Sequence, residues 1–85
     1  MQLDFKIIEA DLRKFLISNL PMKTEKFSST DILSDIFDFD SLAMMQIVFY
    51  IESNYPMKFS KNDFDGRPFK TLSELATFIK SRASD

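Results

Sequence analysis

Asp40-Ser41-Leu42 is the tripeptide of this chain best placed to do chemistry. It closes an acidic, apolar loop and opens a long apolar run, Leu42 to Tyr55. A serine hydroxyl is a weak nucleophile until a base takes its proton, and that base is usually histidine. The chain has no histidine, and its nearest lysines, Lys26 and Lys58, have no sequence relation to Ser41. The hydroxyl therefore reads as a point where another enzyme attaches a group. A serine in the first turn of a helix lies beside unpaired backbone N–H groups and the positive end of the macrodipole. A phosphodiester attached there is favourably placed. The attaching enzyme supplies the base and the metal, so the absence of a neighbouring base is no defect.

Other chemistries fare worse. Asp35, Asp38 and Asp40 suggest a metal loop, but Leu42 stands where a calcium loop needs another oxygen ligand, and no glycine follows. Gly66 is the only glycine, so no glycine-rich phosphate loop exists. With no cysteine there is no disulfide, thiolate metal site or cysteine nucleophile, which suits a reducing compartment. The N-terminus alternates apolar and charged residues, unlike a signal peptide, and no segment is long enough to span a membrane; a cytoplasmic protein is expected. Basic residues are scattered and give no nucleic-acid footprint.

Charge is distributed unevenly. From Phe27 to Met57 there is no Lys or Arg, while Asp31, Asp35, Asp38, Asp40 and Glu52 give that segment −5. Subtracting this from the net −2 leaves +3 for the rest of the chain. The negative potential is focused around Ser41 and the helix after it, a face that repels nucleic acid and attracts a basic partner.

The elements that must position Ser41 are helices. The chain of 85 residues suffices for one small domain, residues 1–85, with no internal repeat or dividing linker. Leu3 to about Ser18 is predicted helical, with Phe5, Ile8, Leu12, Phe15 and Leu16 recurring on one face. Pro21 stops it. A long connection to Asp40 follows, which Phe27, Ile32, Leu33, Ile36 and Phe37 can pin to the core. Ser41 to about Asn54 is the strongest helix, with Asp40 as cap and Pro56 beyond its end. Met44, Ile47, Val48, Ile51 and Tyr55 form one stripe. Leu42, Met45 and Phe49 form a second, with Glu52 beside it. Ala43, Gln46, Tyr50, Ser53 and Asn54 make a weakly polar face. Periodicity leaves two readings open: both stripes in the core, or the second partly exposed for docking. Ser60-Lys61-Asn62-Asp63 can cap a short helical turn ended by Asp65-Gly66, and Arg67-Pro68 enters the last helix. Thr71-Leu72-Ser73-Glu74 fits a capping box, and Leu72, Leu75, Ala76, Phe78 and Ile79 supply a core face. The tail from about Arg82 is expected to fray. The fold class is all-α: a four-helix bundle of three main helices and one short one, with a long loop between helices one and two.

Asp40-Ser41-Leu42, the helix through Tyr55 and the final Thr71-to-Lys80 helix resemble the acyl carrier protein family over essentially the whole chain. The resemblance implies a non-catalytic carrier. Its motif serine, here Ser41, would receive 4′-phosphopantetheine from coenzyme A through a magnesium-using phosphopantetheinyl transferase. The arm ends in a thiol that holds acyl groups as thioesters for partner enzymes of fatty-acid, lipid or secondary-metabolite synthesis. Asp40 would contact the transferase and other basic partners. Leu42, Met45, Phe49 and Glu52 fall where the family docks its enzymes, and Ile47, Val48, Ile51 and Tyr55 fall at core positions. A monomer is implied.

The chain also departs from that family. The motif commonly has glycine two residues before the aspartate; here Asp38 stands there, followed by Phe39. Ala43, Gln46 and Ser53 replace frequent carboxylates, so docking should lean more on apolar contact than on salt-sensitive pairing. This implies a specialised carrier. Two alternatives share the pattern: a carrier of aminoacyl groups (D-alanyl or peptidyl), and an unmodified helical adaptor in which Ser41 is merely a helix cap.

Overall fold

The structure is a computed structural model in which residues 4–38, 40–60, 63 and 70–83 are described. Among the described residues four helices succeed one another: α1 Phe5–Asn19, α2 Leu33–Ile36, α3 Ser41–Asn54 and α4 Leu72–Ala83. Among the described residues there is no strand beyond two isolated antiparallel bridges, Met22 with Phe37 and Ile32 with Thr71. The all-α, four-helix expectation holds, with three long helices and one short one.

Each long helix starts with a side-chain cap. Asp4 accepts from the Lys6 amide at 2.8 Å. Asp40 accepts from the Ala43 amide at 2.9 Å. The Thr71 hydroxyl accepts from the Glu74 amide at 3.1 Å, one half of the expected capping box, while Glu74 reaches back one residue further, to the Lys70 amide at 3.2 Å. Ile8, Leu12 and Leu16 of α1, Ile47 and Ile51 of α3, and Leu72, Leu75, Ala76 and Ile79 of α4 form the centre of one core. The three apolar stripes meet because their helical spacing keeps them on one face each.

The short helix among the described residues is one that the sequence reading did not expect. It lies inside the long connection, where Leu33 and Ile36 are buried and Phe37 is fully enclosed. Three apolar residues in five positions, Leu33, Ile36 and Phe37, make a helical turn that closes over the core. Of the turn expected from Ser60, the described part has its hydrogen bonds: Ser60 donates through N at 2.6 Å and Oγ at 3.1 Å to Asp63, whose amide returns one to Ser60 O at 3.1 Å. Lys61, Asn62 and the Asp65-Gly66 and Arg67-Pro68 steps lie outside the described residues.

The connection is tied at many points. Arg13 of α1 donates to Phe27 O at 2.7 Å and Ser29 Oγ at 2.9 Å, with its guanidinium 4.5 Å from the centre of the Phe27 ring. Leu33 N donates to Lys70 O, and Ser73 N to Ser29 O, joining the connection to the start of α4. Ile32, expected to help pin this segment, is instead exposed, because its backbone pairs with Thr71 while its side chain faces outward. Arg82, expected in a frayed tail, is the second correction: α4 runs to Ala83, and Arg82 lies over the Phe78 ring at 4.8 Å and pairs with Asp63.

Candidate functional site

Ser41 is the first residue of α3 and is exposed. Asp40 before it has extended backbone and caps the helix, and its carbonyl takes the Met44 amide at 3.0 Å. Among the described residues the amides of Ser41 and Leu42 have no hydrogen-bond partner, and neither has the Ser41 hydroxyl. The Oγ thus stands in water at the positive end of a 14-residue helix, with two free N–H groups beside it. That is a fitting seat for a phosphodiester. It is a poor seat for a catalytic nucleophile, because the chain has no histidine and the Asp40 carboxylate is occupied by the cap.

Asp31, Asp35, Asp38 and Asp40 are all exposed along the chain that leads to Ser41. Among the described residues no three carboxylates gather as metal ligands. The acids are spread along the connection, and one of them, Asp38, pairs with Lys23 at 3.4 Å.

The two stripes of α3 separate cleanly. Ile47 and Ile51 are buried, Met44 and Tyr55 are half-buried against the core, and Val48 is half-buried. Leu42, Met45 and Phe49 are 63%, 68% and 74% exposed, so the two stripes do not both lie in the core. They line the outward side of α3 running away from Ser41. Glu52, next along that side, is half-buried and accepts from the Phe59 amide at 2.8 Å. Ala43 corrects the expected polar face: it is 3% exposed, enclosed where α3 enters the bundle. Its lack of side-chain bulk lets the helix approach closely, something a polarity pattern does not reveal.

Sequence reading missed Asp11. Its Oδ1 accepts from Tyr50 and its Oδ2 from Tyr55, both at 2.6 Å. A signal was present: Asp11 sits three residues after Ile8 and four before Phe15, on the apolar arc of α1. A carboxylate there needs a partner. Tyr50 also stacks on Phe15 with ring centres 4.1 Å apart.

The profile of the phosphopantetheine attachment site family matches residues 10–79. The chain belongs to that family, an acyl-carrier-protein type whose members bear covalently attached 4′-phosphopantetheine. It is a carrier protein and not an enzyme, serving a phosphopantetheinyl transferase and partner enzymes. No curated protein and no solved structure matches the chain.

Proposed function

We propose that Ser41 bears the arm, that Asp40, Leu42, Met45, Phe49 and Glu52 meet the partners, and that residues 1–85 act as one monomeric cytoplasmic carrier of acyl intermediates. The observation that carries this reading is the exposed Ser41 hydroxyl at the capped start of α3, inside the matched residues. The arm supplies a terminal thiol that holds the cargo as a thioester. The chain's own residues do the rest. Ser41 Oγ forms a bond to phosphorus as the pyrophosphate of coenzyme A breaks, adenosine bisphosphate leaves, and the transferase's base takes the hydroxyl proton. The Asp40 cap keeps the helix end in place, and the Ser41 and Leu42 amides face the new phosphodiester. The exposed stripe beside Ser41 holds a partner close, which raises the cargo's effective concentration at that partner's active site.

The cargo belongs to fatty-acid, lipid or secondary-metabolite synthesis, or to an aminoacyl pathway. The weakly acidic α3 supports a specialised member. Intact mass after incubation with a phosphopantetheinyl transferase, magnesium and coenzyme A tests the attachment. Wild type is expected to gain one phosphopantetheine and Ser41→Ala none. A bare wild-type protein, or a modified Ser41→Ala, overturns it. Mass spectrometry of the loaded protein from cells identifies the cargo.

A further inference from the structure

Ser41 is reached through a short run that leaves α2 at Phe37 and enters α3 at Asp40. Lys23, at the far end of the connection, holds α2 at two points and that run at one. The backbone N–H of Lys23 donates to Ile36 O at 2.6 Å, beside the Met22–Phe37 bridge. Its ammonium donates to Ser34 O at 3.4 Å and pairs with Asp38 at 3.4 Å. Phe37 is fully buried and meets the Phe27 ring edge-on, with centres 5.4 Å apart. The run is therefore anchored to the core at Phe37. Asp38 and Asp40 are its remaining described residues before Ser41. Asp40 is held by the Ala43 amide and Asp38 by Lys23.

Resting on Ser41 as the attachment point, we propose that Lys23 is a positioning residue for its modification. By fastening Asp38, the ammonium fixes how the chain leaves α2 towards Ser41, as a transferase engages it. Charge and positioning make opposite demands here. Lys23 is the cation paired with an acidic segment that has no Lys or Arg of its own from Phe27 to Met57. If its charge alone mattered, removing it would leave that segment more negative and speed capture by a basic transferase. If it positions, removing it lowers the fraction of molecules in the competent arrangement. That raises KM and leaves kcat unchanged. Both partners are largely exposed, so the effect is modest, about twofold to fivefold.

The test is steady-state transfer from coenzyme A by one phosphopantetheinyl transferase at fixed ionic strength, with full-length wild type, Lys23→Ala, Lys23→Arg, Asp38→Asn and the Lys23→Ala/Asp38→Asn pair. Lys23→Ala and Asp38→Asn are expected to raise KM for the carrier about twofold to fivefold at constant kcat, and Lys23→Arg to restore it. The pair is expected to match the single variants, since one interaction is lost in each. Far-ultraviolet circular dichroism and Tm should stay near wild type. An unchanged or lower KM for Lys23→Ala, a Lys23→Arg variant as impaired as Lys23→Ala, or additive effects in the pair overturns the proposal. If wild type itself gains no arm, the attachment reading fails instead, and the two failures are told apart.

Discussion

Tyr55, at the end of α3, donates its hydroxyl to Asp11 of α1 at 2.6 Å across 44 residues of chain. Tyr50 takes the other carboxylate oxygen at the same distance. One acid thus staples α1 to the half of α3 that lies away from Ser41. Burial is the main reason the Tyr50 hydroxyl is pushed up to about 12, with the Asp11 hydrogen bond and charge adding to it. The same causes, in the same order and with the charge of Tyr50 added last, raise Tyr55 further.

Asp11→Ala should lower stability by about 2–3 kcal/mol, because two charge-assisted bonds are lost and two tyrosine hydroxyls are left half-enclosed. Asp11→Asn keeps an acceptor and should lose less. Urea unfolding with an unchanged slope checks both.

The tyrosines also set an alkaline limit. Their protons are held more tightly in the folded chain than in the unfolded one, whose tyrosines titrate near 10.0. Above that pH the unfolded state binds fewer protons, so stability falls as pH rises. The contribution is complete below pH 10.0 and is lost as pH passes about 12, where Tyr50 titrates. Tyrosinate absorbance is a clean reporter, since Tyr50 and Tyr55 are the only tyrosines and there is no tryptophan. Its rise should coincide with loss of helix, and Asp11→Asn should shift both to lower pH.

Phe49→Glu should weaken acyl transfer with a cognate enzyme while leaving helix content intact, as the ring is 74% exposed. Modification of Ser41 should survive the change. Unfolding seen by circular dichroism would mean that Phe49 contributes to the core.

Two substitutions at the start of α3 should separate packing from capping. Ala43→Leu inserts bulk at an enclosed position and should destabilise by about 1–3 kcal/mol. Asp40→Ala removes the cap and should cost about 1 kcal/mol. Thermal unfolding of the unmodified protein measures both without any partner.

Much of this was legible beforehand. The bounds of α3 follow from Asp40, the apolar run and Pro56, and both stripes follow from period alone. What period could not decide was which stripe the bundle covers, because Leu42 and Phe49 are as apolar as Ile47 and Ile51. Contacts distant in sequence were also hidden. Leu33 to Phe37 looked like a loop because its turn is stabilised by closing over the core and not by helical propensity. Asp11 drew no notice because both of its partners, Tyr50 on α3 and Tyr55 just past its end, are distant in sequence. Arg82 looked like tail because Phe78 and Asp63 become neighbours only after folding.

The bare stripe on α3 also sets a timescale. Covering the exposed parts of Leu42, Met45 and Phe49 would release about 4–5 kcal/mol. Loss of rotational and translational freedom on association takes back much of that. What is left corresponds to weak binding and fast departure. Brief residence suits a shuttle that must leave one enzyme before it can visit the next.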